Sequence, residues 1–406
     1  MAVGLADRVY LWSKLQGVTY PPDTLYADTT TAHYVTSLAF SSAQGDRGIL
    51  AIGRGNGHVV LWSPCDKEAR FITVPFRSAA AYVSFRPMIT RRPSHRQPSY
   101  MVDNEVLLVG DDCGLVAVYL VEWPSDRDRF LFGWHGAITL HARICIHTQQ
   151  ICGISWSPAG DFFATGGNDN LCCLFETKKI LAAAHRQIPN RIDIRRDVNG
   201  NKYLDVIPTQ PSSLIVEPET LKHQWRLHAA VKAIAFCPWQ RGLLAAGGGS
   251  NDRCIHFYHT MSGACLATID CAAQVTSLIW STTRREIAAT FGFAQPDHPF
   301  RIAVYAWPTC QQVVAIPWHD EMRALYAIPY PGGPNVGHGR NEGCAWGSRT
   351  AEEGCIVVAG SDGSIKFHEV WCEATRATGP HQGLLGGSDI LESLHGIDKD
   401  GSETIR

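Results

Sequence analysis

Two asparagines in the turn GGNDN, Asn168 and Asn170, carry side chains that could recognise a peptide. A primary amide offers both hydrogen-bond donors and an acceptor, so the pair could hold a short polar segment. Asn also tolerates the left-handed backbone conformation of tight turns. From the residues alone, this structural explanation is the favoured one.

Sequence motifs typical of enzymes are weak. The runs GRGNGH at Gly53–His58 and GGG at Gly247–Gly249 resemble phosphate loops, but neither has the form GxxxxGK[ST], and both stand between predicted strands rather than before a helix. The run HDE at His319–Glu321 could serve as a metal or acid–base site, yet no second ligand cluster accompanies it, which favours a solvated turn. We therefore predict a protein that is not an enzyme, with no catalytic residue, metal site or cofactor.

Composition narrows the classes of partner. A formal charge of -2 over 406 residues gives no sign of a polybasic face, and no apolar run is long enough to span a membrane, so we expect neither nucleic acid nor membrane as a partner. The 14 Cys include no CxxC pair, and no secretory leader precedes them. We expect reduced thiols and a location in the nucleus and cytoplasm.

A repeated pattern organises most of the chain. Strand-like segments recur that end at Trp12, Trp62, Tyr119, Phe175, Tyr258, Tyr305 and His368. Most follow a second apolar strand and a turn rich in Gly, Asn and Asp, and an alternating strand stands upstream of that pair. Each unit supplies the strands of one propeller blade, so the sequence predicts an all-β, seven-bladed WD-repeat β-propeller.

Domain boundaries follow from the same pattern. We predict a propeller over residues 1–372, with a surface insertion at 178–224 that holds a small hairpin at Asn199-Gly200, and a mobile loop at 331–354. The Gly-rich polar residues 373–406 are predicted to form a flexible C-terminal tail.

The amino-acid sequence of several repeats resembles that of the Fizzy and Fizzy-related family. Members of this family are WD-repeat coactivators of the anaphase-promoting complex, a ubiquitin ligase. The resemblance is carried by GGNDNLCCLF, CPWQ, GGGSNDR, SGACLATID, QVTSLIWS and GFAQ, and by the terminal dipeptide Ile405-Arg406. The segment CCLF, the long insertion and IAVYAWP are most similar to the fungal meiosis-specific activator.

The resemblance implies a receptor for the Lys-Glu-Asn degron on one face of the propeller. The family positions correspond here to Asn168, Asn170, Ser250, Gln274 and Arg323. Because the GGNDN turn matches the motif of the family, the functional explanation of the two asparagines becomes the favoured one. Asp169 and Asp252 are instead expected to be structural, accepting hydrogen bonds from turn N–H groups or from a histidine such as His147 or His228.

The second family site, the groove for the destruction box, departs from the pattern. Gly363 stands where the family has an acidic residue, which leaves Asp362 to meet the arginine of the degron. The resemblance also implies docking on the ligase through Ile405 and Arg406.

The first repeat is incomplete. Residues 1–5 correspond to the second strand of a blade, so an inner strand, a closing strand and the N-terminal arm with the family's ligase-binding motif are missing. Because exposed sheet edges are normally covered, we expect this chain to begin at an internal Met of a longer protein.

The resulting prediction is a substrate-recognition coactivator with a role in the cell cycle or meiosis. Its expected partners are subunits of the anaphase-promoting complex and degron-bearing cell-cycle proteins. The alternative is a generic WD-repeat scaffold in another assembly.

Overall fold

The computed structural model describes most of the repeat-bearing part of the chain. Its residues are 1–13, 17–19, 33–41, 48–64, 66, 69–73, 76–94, 99–125, 127, 130–131, 136–183, 190–196, 202–208, 215–216, 218–292, 298–318, 321–330 and 355–371. The predicted loop 331–354 and tail 373–406 lie outside these residues.

The described chain divides into two compact units. One comprises Met1–Asp169 and Cys173–Lys222, and the other comprises Asn170–Cys172 and the described residues from His223 onward. The elements whose bounds the structure describes are β-strands, apart from one short helix and one 3-10 turn.

The sheets of the first part of the chain follow one another in sequence. The first contains β1 (Ala2–Leu5), β2 (Arg8–Ser13) and β3 (Gly17–Thr19), and the second contains β4 (Val35–Phe40), β5 (Leu50–Arg54), β6 (Val59–Trp62) and β7 (Phe71–Ile72). The third is built on β8 (Tyr82–Phe85), β9 (Thr90–Pro93), β10 (Met101–Gly110), β11 (Val116–Trp123) and β12 (Ala137–Ile144). Neighbouring strands within the first two sheets run antiparallel, as short hairpin turns require.

A fourth sheet and an added hairpin follow. The fourth sheet contains β13 (Ile151–Trp156), β14 (Phe162–Gly167), β15 (Leu171–Glu176) and, later in the chain, β18 (Leu221–Arg226). Helix α1 (Thr177–Ala183) comes after β15, and the antiparallel pair β16 (Asn190–Arg196) and β17 (Lys202–Pro208) extends the third sheet through a parallel pairing of β17 with β12. The predicted insertion 178–224 thus contains the hairpin expected there, and its last residues belong to β18; Asn199 and Gly200 themselves lie outside the described residues.

Three sheets make up the rest of the described part of the chain. They contain β19 (Val231–Phe236), β20 (Leu243–Gly248), β21 (Cys254–His259) and β22 (Cys265–Asp270); β23 (Val275–Trp280), β24 (Glu286–Phe291), β25 (Phe300–Ala306) and β26 (Gln312–Pro317); and β27 (Ala324–Tyr330), β28 (Cys355–Gly360) and β29 (Ile365–Glu369). The 3-10 turn Pro218–Thr220 precedes β18.

Apolar side chains from adjacent sheets pack together within each unit. In the second unit, Phe257, Val275 and Phe291 are buried in one cluster that joins the fifth and sixth sheets. Indole N–H groups fasten the same pair of sheets: Trp280 Nε1 donates to the Ala235 carbonyl at 3.1 Å, and Trp239 Nε1 donates to the Ser281 carbonyl at 3.0 Å. Burial of the two faces explains why the second strands of the repeats are nearly continuous apolar runs.

The predicted all-β WD-repeat propeller fold is confirmed. All seven repeat-ending residues lie on strands, and each of these strands belongs to a different sheet: β2, β6, β11, β15, β21, β25 and β29. The first and last sheets have three strands each among the described residues. Closure of seven blades stays a prediction.

Candidate functional site

One backbone hydrogen bond recurs in five sheets and defines the end of the sheet where the predicted site residues lie. In each of these sheets, the residue that follows the second strand of the repeat donates its backbone N–H to the carbonyl of the residue just before the first strand, which is the inner strand of the blade. The pairs are Gly55 to Tyr34, Asn168 to Gln150, Gly249 to Ala230, Gly292 to Gln274 and Ser361 to Arg323, at 2.8–3.0 Å. The bond holds the turn between the second and third strands beside the start of the inner strand, so side chains from both positions share one end of the sheet.

Asn168 lies at this end of the fourth sheet and is exposed. Its Nδ2 donates to Gln149 Oε1 at 2.8 Å, and its N–H donates to the Gln150 carbonyl at 2.8 Å. Gln150 Nε2 in turn donates to Asp112 Oδ1, also at 2.8 Å. The exposed amide that the sequence singled out is therefore part of a polar row in the first unit.

Asn170 is the residue of the GGNDN turn with a left-handed backbone, at φ +67°. Its carbonyl accepts the Leu227 N–H at 2.9 Å. The structural reason for an Asn in this turn, its tolerance of positive φ, therefore applies to Asn170.

Ser250 is exposed in the turn between β20 and β21, next to Gly249. The same turn is stabilised by Asp252, whose Oδ1 accepts the His228 N–H at 3.1 Å and whose Oδ2 lies 2.9 Å from His256 Nε2. Burial by itself would raise the pKa of the Asp252 carboxyl, but the hydrogen bonds from His256 and from the His228 N–H outweigh it and lower that pKa. Asp252 therefore stays ionised and holds the turn that presents Ser250.

Gln274 precedes β23 and is half-buried. Its carbonyl accepts the Gly292 N–H at 3.0 Å, and a Cβ on Gly292 would lie only 2.5 Å from Gln274 Oε1. Gly292 thus provides the room in which the Gln274 amide sits. Gln295, the last residue of the GFAQ motif, lies outside the described residues.

Arg323 and Asp362 lie at the same end of the last sheet. The two backbones are joined through Ser361, whose N–H donates to the Arg323 carbonyl at 3.0 Å and whose Oγ accepts the Arg323 N–H at 3.0 Å. Arg323 and Asp362, which the resemblance assigns to two separate degron sites, therefore lie beside one turn–strand junction.

The Asp362 carboxylate already has partners within its own turn. Its Oδ1 accepts the Ser364 hydroxyl at 2.6 Å and the Ser364 N–H at 3.0 Å, and its Oδ2 lies 3.4 Å from Lys366 Nζ. The Ser364 hydroxyl is the main reason that the pKa of Asp362 falls to about 2. The side chain remains 37% exposed, so an ionised carboxylate, partly neutralised by Lys366, is accessible to solvent.

The expectation that Asp169 and Asp252 stabilise their turns agrees with these contacts, with one difference of partner. Asp169 accepts from His147 Nδ1 at 3.0 Å and from the Thr148 N–H at 2.9 Å. For Asp252 the imidazole partner is that of His256, and His228 contributes only its backbone N–H. The sequence did not single out His256.

A hydroxyl, an imidazole and a carboxylate lie in line in the first unit, because His147 Nε2 is also 2.8 Å from Thr165 Oγ1. This order resembles the relay of a hydrolase. Thr165, however, is fully buried, and His147 and Asp169 are less than a tenth exposed. A substrate cannot reach the hydroxyl, so the row is structural.

The enzyme-like motifs lie where the sequence predicted. Gly53–His58 spans the turn between β5 and β6, and Gly247–Gly249 the start of the turn between β20 and β21, so neither precedes a helix. His319, Asp320, Ile405 and Arg406 lie outside the described residues. Among the described helices, none has the length and apolar character needed to cross a membrane.

Sequence reasoning missed Gln149, Gln150, Asp112 and Gly292. A signal for Gln150 was present, because it stands immediately before β13 as Gln274 stands before β23. Aligning the inner strands of all repeats, rather than matching one motif at a time, finds both glutamines.

The fold, the repeated turns and their polar ends define a WD-repeat propeller protein. A family model described as "WD domain, G-beta repeat" matches residues 139–176, which include β13, β14 and β15. Among solved structures, a chain of the "Crystal Structure of Mitotic Checkpoint Complex" matches with a TM-score of 0.59 and 24% identity, covering 91% of this chain and 86% of that one. This second likeness concerns the fold alone.

Comparison with individual curated proteins identifies the relatives of this chain more narrowly than the fold does. "Meiotic fizzy-related protein 2" of Schizosaccharomyces pombe is 31% identical over 98% of this chain and 64% of its own length. "Meiosis-specific APC/C activator protein AMA1" of Saccharomyces cerevisiae is 28% identical over 100% of this chain and 59% of its own length. The homologues of this chain are thus Fizzy-related activators of the anaphase-promoting complex, and the chain spans about 60% of the length of these relatives.

Proposed function

We propose that this chain is a substrate-recognition coactivator of the anaphase-promoting complex, without catalysis of its own, in the cell cycle or meiosis. The observation that carries the proposal is homology along nearly the whole chain to proteins named as fizzy-related or as activators of that complex. The expected partners are subunits of the ligase and cell-cycle proteins that carry degrons, and the expected location is the nucleus and cytoplasm.

The family resemblance supports a role in binding the Lys-Glu-Asn degron for residues at this end of the individual sheets. They are exposed Asn168 in the first unit, and Asn170, Ser250, Gln274 and Arg323 in the second. Amides suit the polar asparagine of such a peptide, and the Arg323 guanidinium suits its glutamate through a charge-assisted hydrogen bond.

Asp362 is proposed to meet the arginine of a destruction box. In support, its carboxylate is ionised and more than one third exposed. Because Lys366 lies 3.4 Å away, we expect Asp362 to contribute less to binding than an acidic residue without a basic neighbour.

The ligase-docking part of the proposal rests on Ile405 and Arg406. The tagged chain is purified from dividing and from sporulating cells with and without these two residues, and co-purifying ligase subunits are quantified by mass spectrometry. Loss of the subunits only from the truncated chain is the expected result. Equal recovery from both would reject docking by the dipeptide.

Degron binding is tested separately with a fluorescent peptide that contains Lys-Glu-Asn and a control peptide with the three residues replaced by alanine. Weak binding by the parent chain, abolished by Asn168→Ala and by Arg323→Ala, is expected. The matched control is Arg284→Ala, which changes an arginine beside Ser281, at the opposite end of β23 and β24. Binding that survives both site substitutions would favour a WD-repeat scaffold without degron specificity.

A further inference from the structure

A group of side chains of types that bind metal ions lies in the fifth sheet and begins in the turn that carries Ser250. Asp252 ends the turn before β21, and Cys254 and His256 stand two and four residues later. Alternate residues of a strand point to one face, so Cys254 and His256 share a face of the sheet. One ligand atom from each of the three side chains lies within 4.8 Å of the other two.

We propose that Asp252, Cys254 and His256 bind a divalent transition-metal ion of the zinc type. Zinc takes thiolate sulfur at about 2.3 Å and imidazole nitrogen or carboxylate oxygen at about 2.0–2.2 Å, which puts tetrahedral ligands about 3.3–3.8 Å apart. The three ligand atoms lie within 4.8 Å of one another, so they would have to approach each other by up to about 1 Å to reach that arrangement. A mixed S, N and O donor set does not suit Mg²⁺ or Ca²⁺, which prefer oxygen alone.

The adjacent strand offers a fourth ligand. Asp270 on β22 is the cross-strand partner of Cys254 in the register of β21 and β22. Direct partners in an antiparallel pair point to the same face. Asp270 Oδ1 accepts the Ala272 N–H at 2.8 Å, so Oδ2 is the oxygen that can turn to the ion. Asp270 or a water molecule would complete four-coordinate geometry.

The imidazole of His256 is held in place before any ion binds. Its Nδ1 lies 3.2 Å from Thr268 Oγ1, and its ring is parallel to that of Tyr258, at an interplanar angle of 15°. Tyr258 itself stacks on Trp225 with ring centroids 4.3 Å apart. Groups that orient a ligating histidine in this way raise metal affinity.

Metal binding would change the protonation of two of the ligand side chains, His256 and Cys254. In the ion-free chain, His256 Nε2 lies 2.9 Å from Asp252 Oδ2, which accepts its proton in a hydrogen bond. When an ion binds Nε2, the imidazole proton moves to Nδ1 and is donated to the Thr268 hydroxyl, while the Cys254 thiol loses its proton to solvent. Binding would therefore release one proton per ion.

The fold does not require this donor set. In the four other sheets with an Asp among the described residues of the same turn, Asp7, Asp111, Asp169 and Asp362, the residue four positions later is Leu11, Leu115, Cys173 or Lys366. Only the fifth sheet combines the Asp with a thiol at the second position and an imidazole at the fourth. A purely structural partner for Asp252 is already present in the backbone N–H of His228.

The experiment uses the purified, reduced full chain and Co²⁺ as a spectroscopic probe, followed by Zn²⁺ displacement and by isothermal titration with Zn²⁺ alone. We expect one ion per chain, visible tetrahedral cobalt bands and a thiolate-to-cobalt charge-transfer band. Cys254→Ser should abolish the charge-transfer band, and it and His256→Gln should each lower Zn²⁺ affinity at least ~10-fold. Zn²⁺ should raise the Tm of the parent chain more than that of either variant.

The matched control is Cys310→Ser, a half-buried thiol of the same unit that donates to the Pro308 carbonyl. This variant should bind as the parent does, and circular dichroism should show all variants folded. Absence of a thiolate–cobalt band in the parent chain would overturn the proposal. Unchanged Zn²⁺ affinity in folded Cys254→Ser would overturn it equally.

Discussion

His147 and Asp169 are bound to each other across the fourth sheet: His147 Nδ1 lies 3.0 Å from Asp169 Oδ1, although the residues are 22 positions apart. Since Asp169 stands between Asn168 and Asn170, the pair fixes the turn that carries both candidate peptide-binding asparagines. A polar network in the interior therefore sets the position of side chains at the surface.

Asp169→Ala should destabilise the chain markedly. The substitution leaves His147 Nδ1 and the Thr148 N–H without their carboxylate partner, and a buried polar group left unpaired costs about 1–3 kcal/mol. Thermal unfolding should show a lower Tm. Asp103→Ala is the control, because Asp103 and its partner Arg91 are both more than half exposed and such pairs contribute about 0–1 kcal/mol. Equal losses in the two variants would contradict a special role for the Asp169 network.

Asn170→Ala and Asn170→Gly should differ in stability while losing the same amide. At φ +67° alanine pays about 1 kcal/mol that glycine avoids, so Asn170→Ala should be the less stable variant by roughly that amount in urea unfolding. Degron peptide binding lost in both variants would assign a binding role to the amide. If Asn170→Gly still bound the peptide, the role of Asn170 would be limited to forming the turn.

Much of this structure could be predicted from the sequence, because each repeat contains local signals for the positions of its own strands and turns. Strands that end at Trp62, Phe175 and Tyr258 were found from alternation and from the Gly- and Asp-rich turns before them, since both signals are local. Contacts that depend on distant residues could not be found this way. The partners of Asp252 are one example: the ring of His256 lies beside one carboxylate oxygen and the backbone N–H of His228 donates to the other, and only their positions in space decide which atom of each reaches the carboxylate.

Ser364→Ala should raise the pKa of Asp362 from about 2 toward 3.8, because the Ser364 hydroxyl is its strongest partner. The pKa in the folded chain lies below the unfolded value, so this carboxylate stabilises the β28–β29 turn above about pH 4 and loses that effect as the pH falls toward 2. NMR titration of the Asp362 side chain measures the shift. Lys366→Gln should move the pKa less than Ser364→Ala does; the reverse order would show that charge, not the hydroxyl, dominates.

His368→Phe should make the chain less sensitive to mild acid. His368 occupies the strand-ending position where the other repeats have Trp, Tyr or Phe, and it is fully buried. Its ring stacks on Trp318 with centroids 5.9 Å apart, and neither ring nitrogen has a hydrogen-bond partner in the described part of the chain. Phenylalanine can keep the stacking and carries no polar atom to desolvate.

The pH window for His368 follows from the sign of its shift. Burial, with a smaller contribution from the charge of Lys366, lowers its pKa from 6.5 to about 3. The unfolded chain therefore binds a proton that the folded chain does not, and stability should fall by up to ~1.4 kcal/mol per pH unit as the pH drops below 6.5. Urea unfolding at pH 7 and pH 5 should show this loss in the parent chain and a smaller loss in His368→Phe. His228→Phe, a change at an exposed histidine, should keep the parent slope. An equal slope in the parent chain and His368→Phe would mean that the acid sensitivity arises elsewhere.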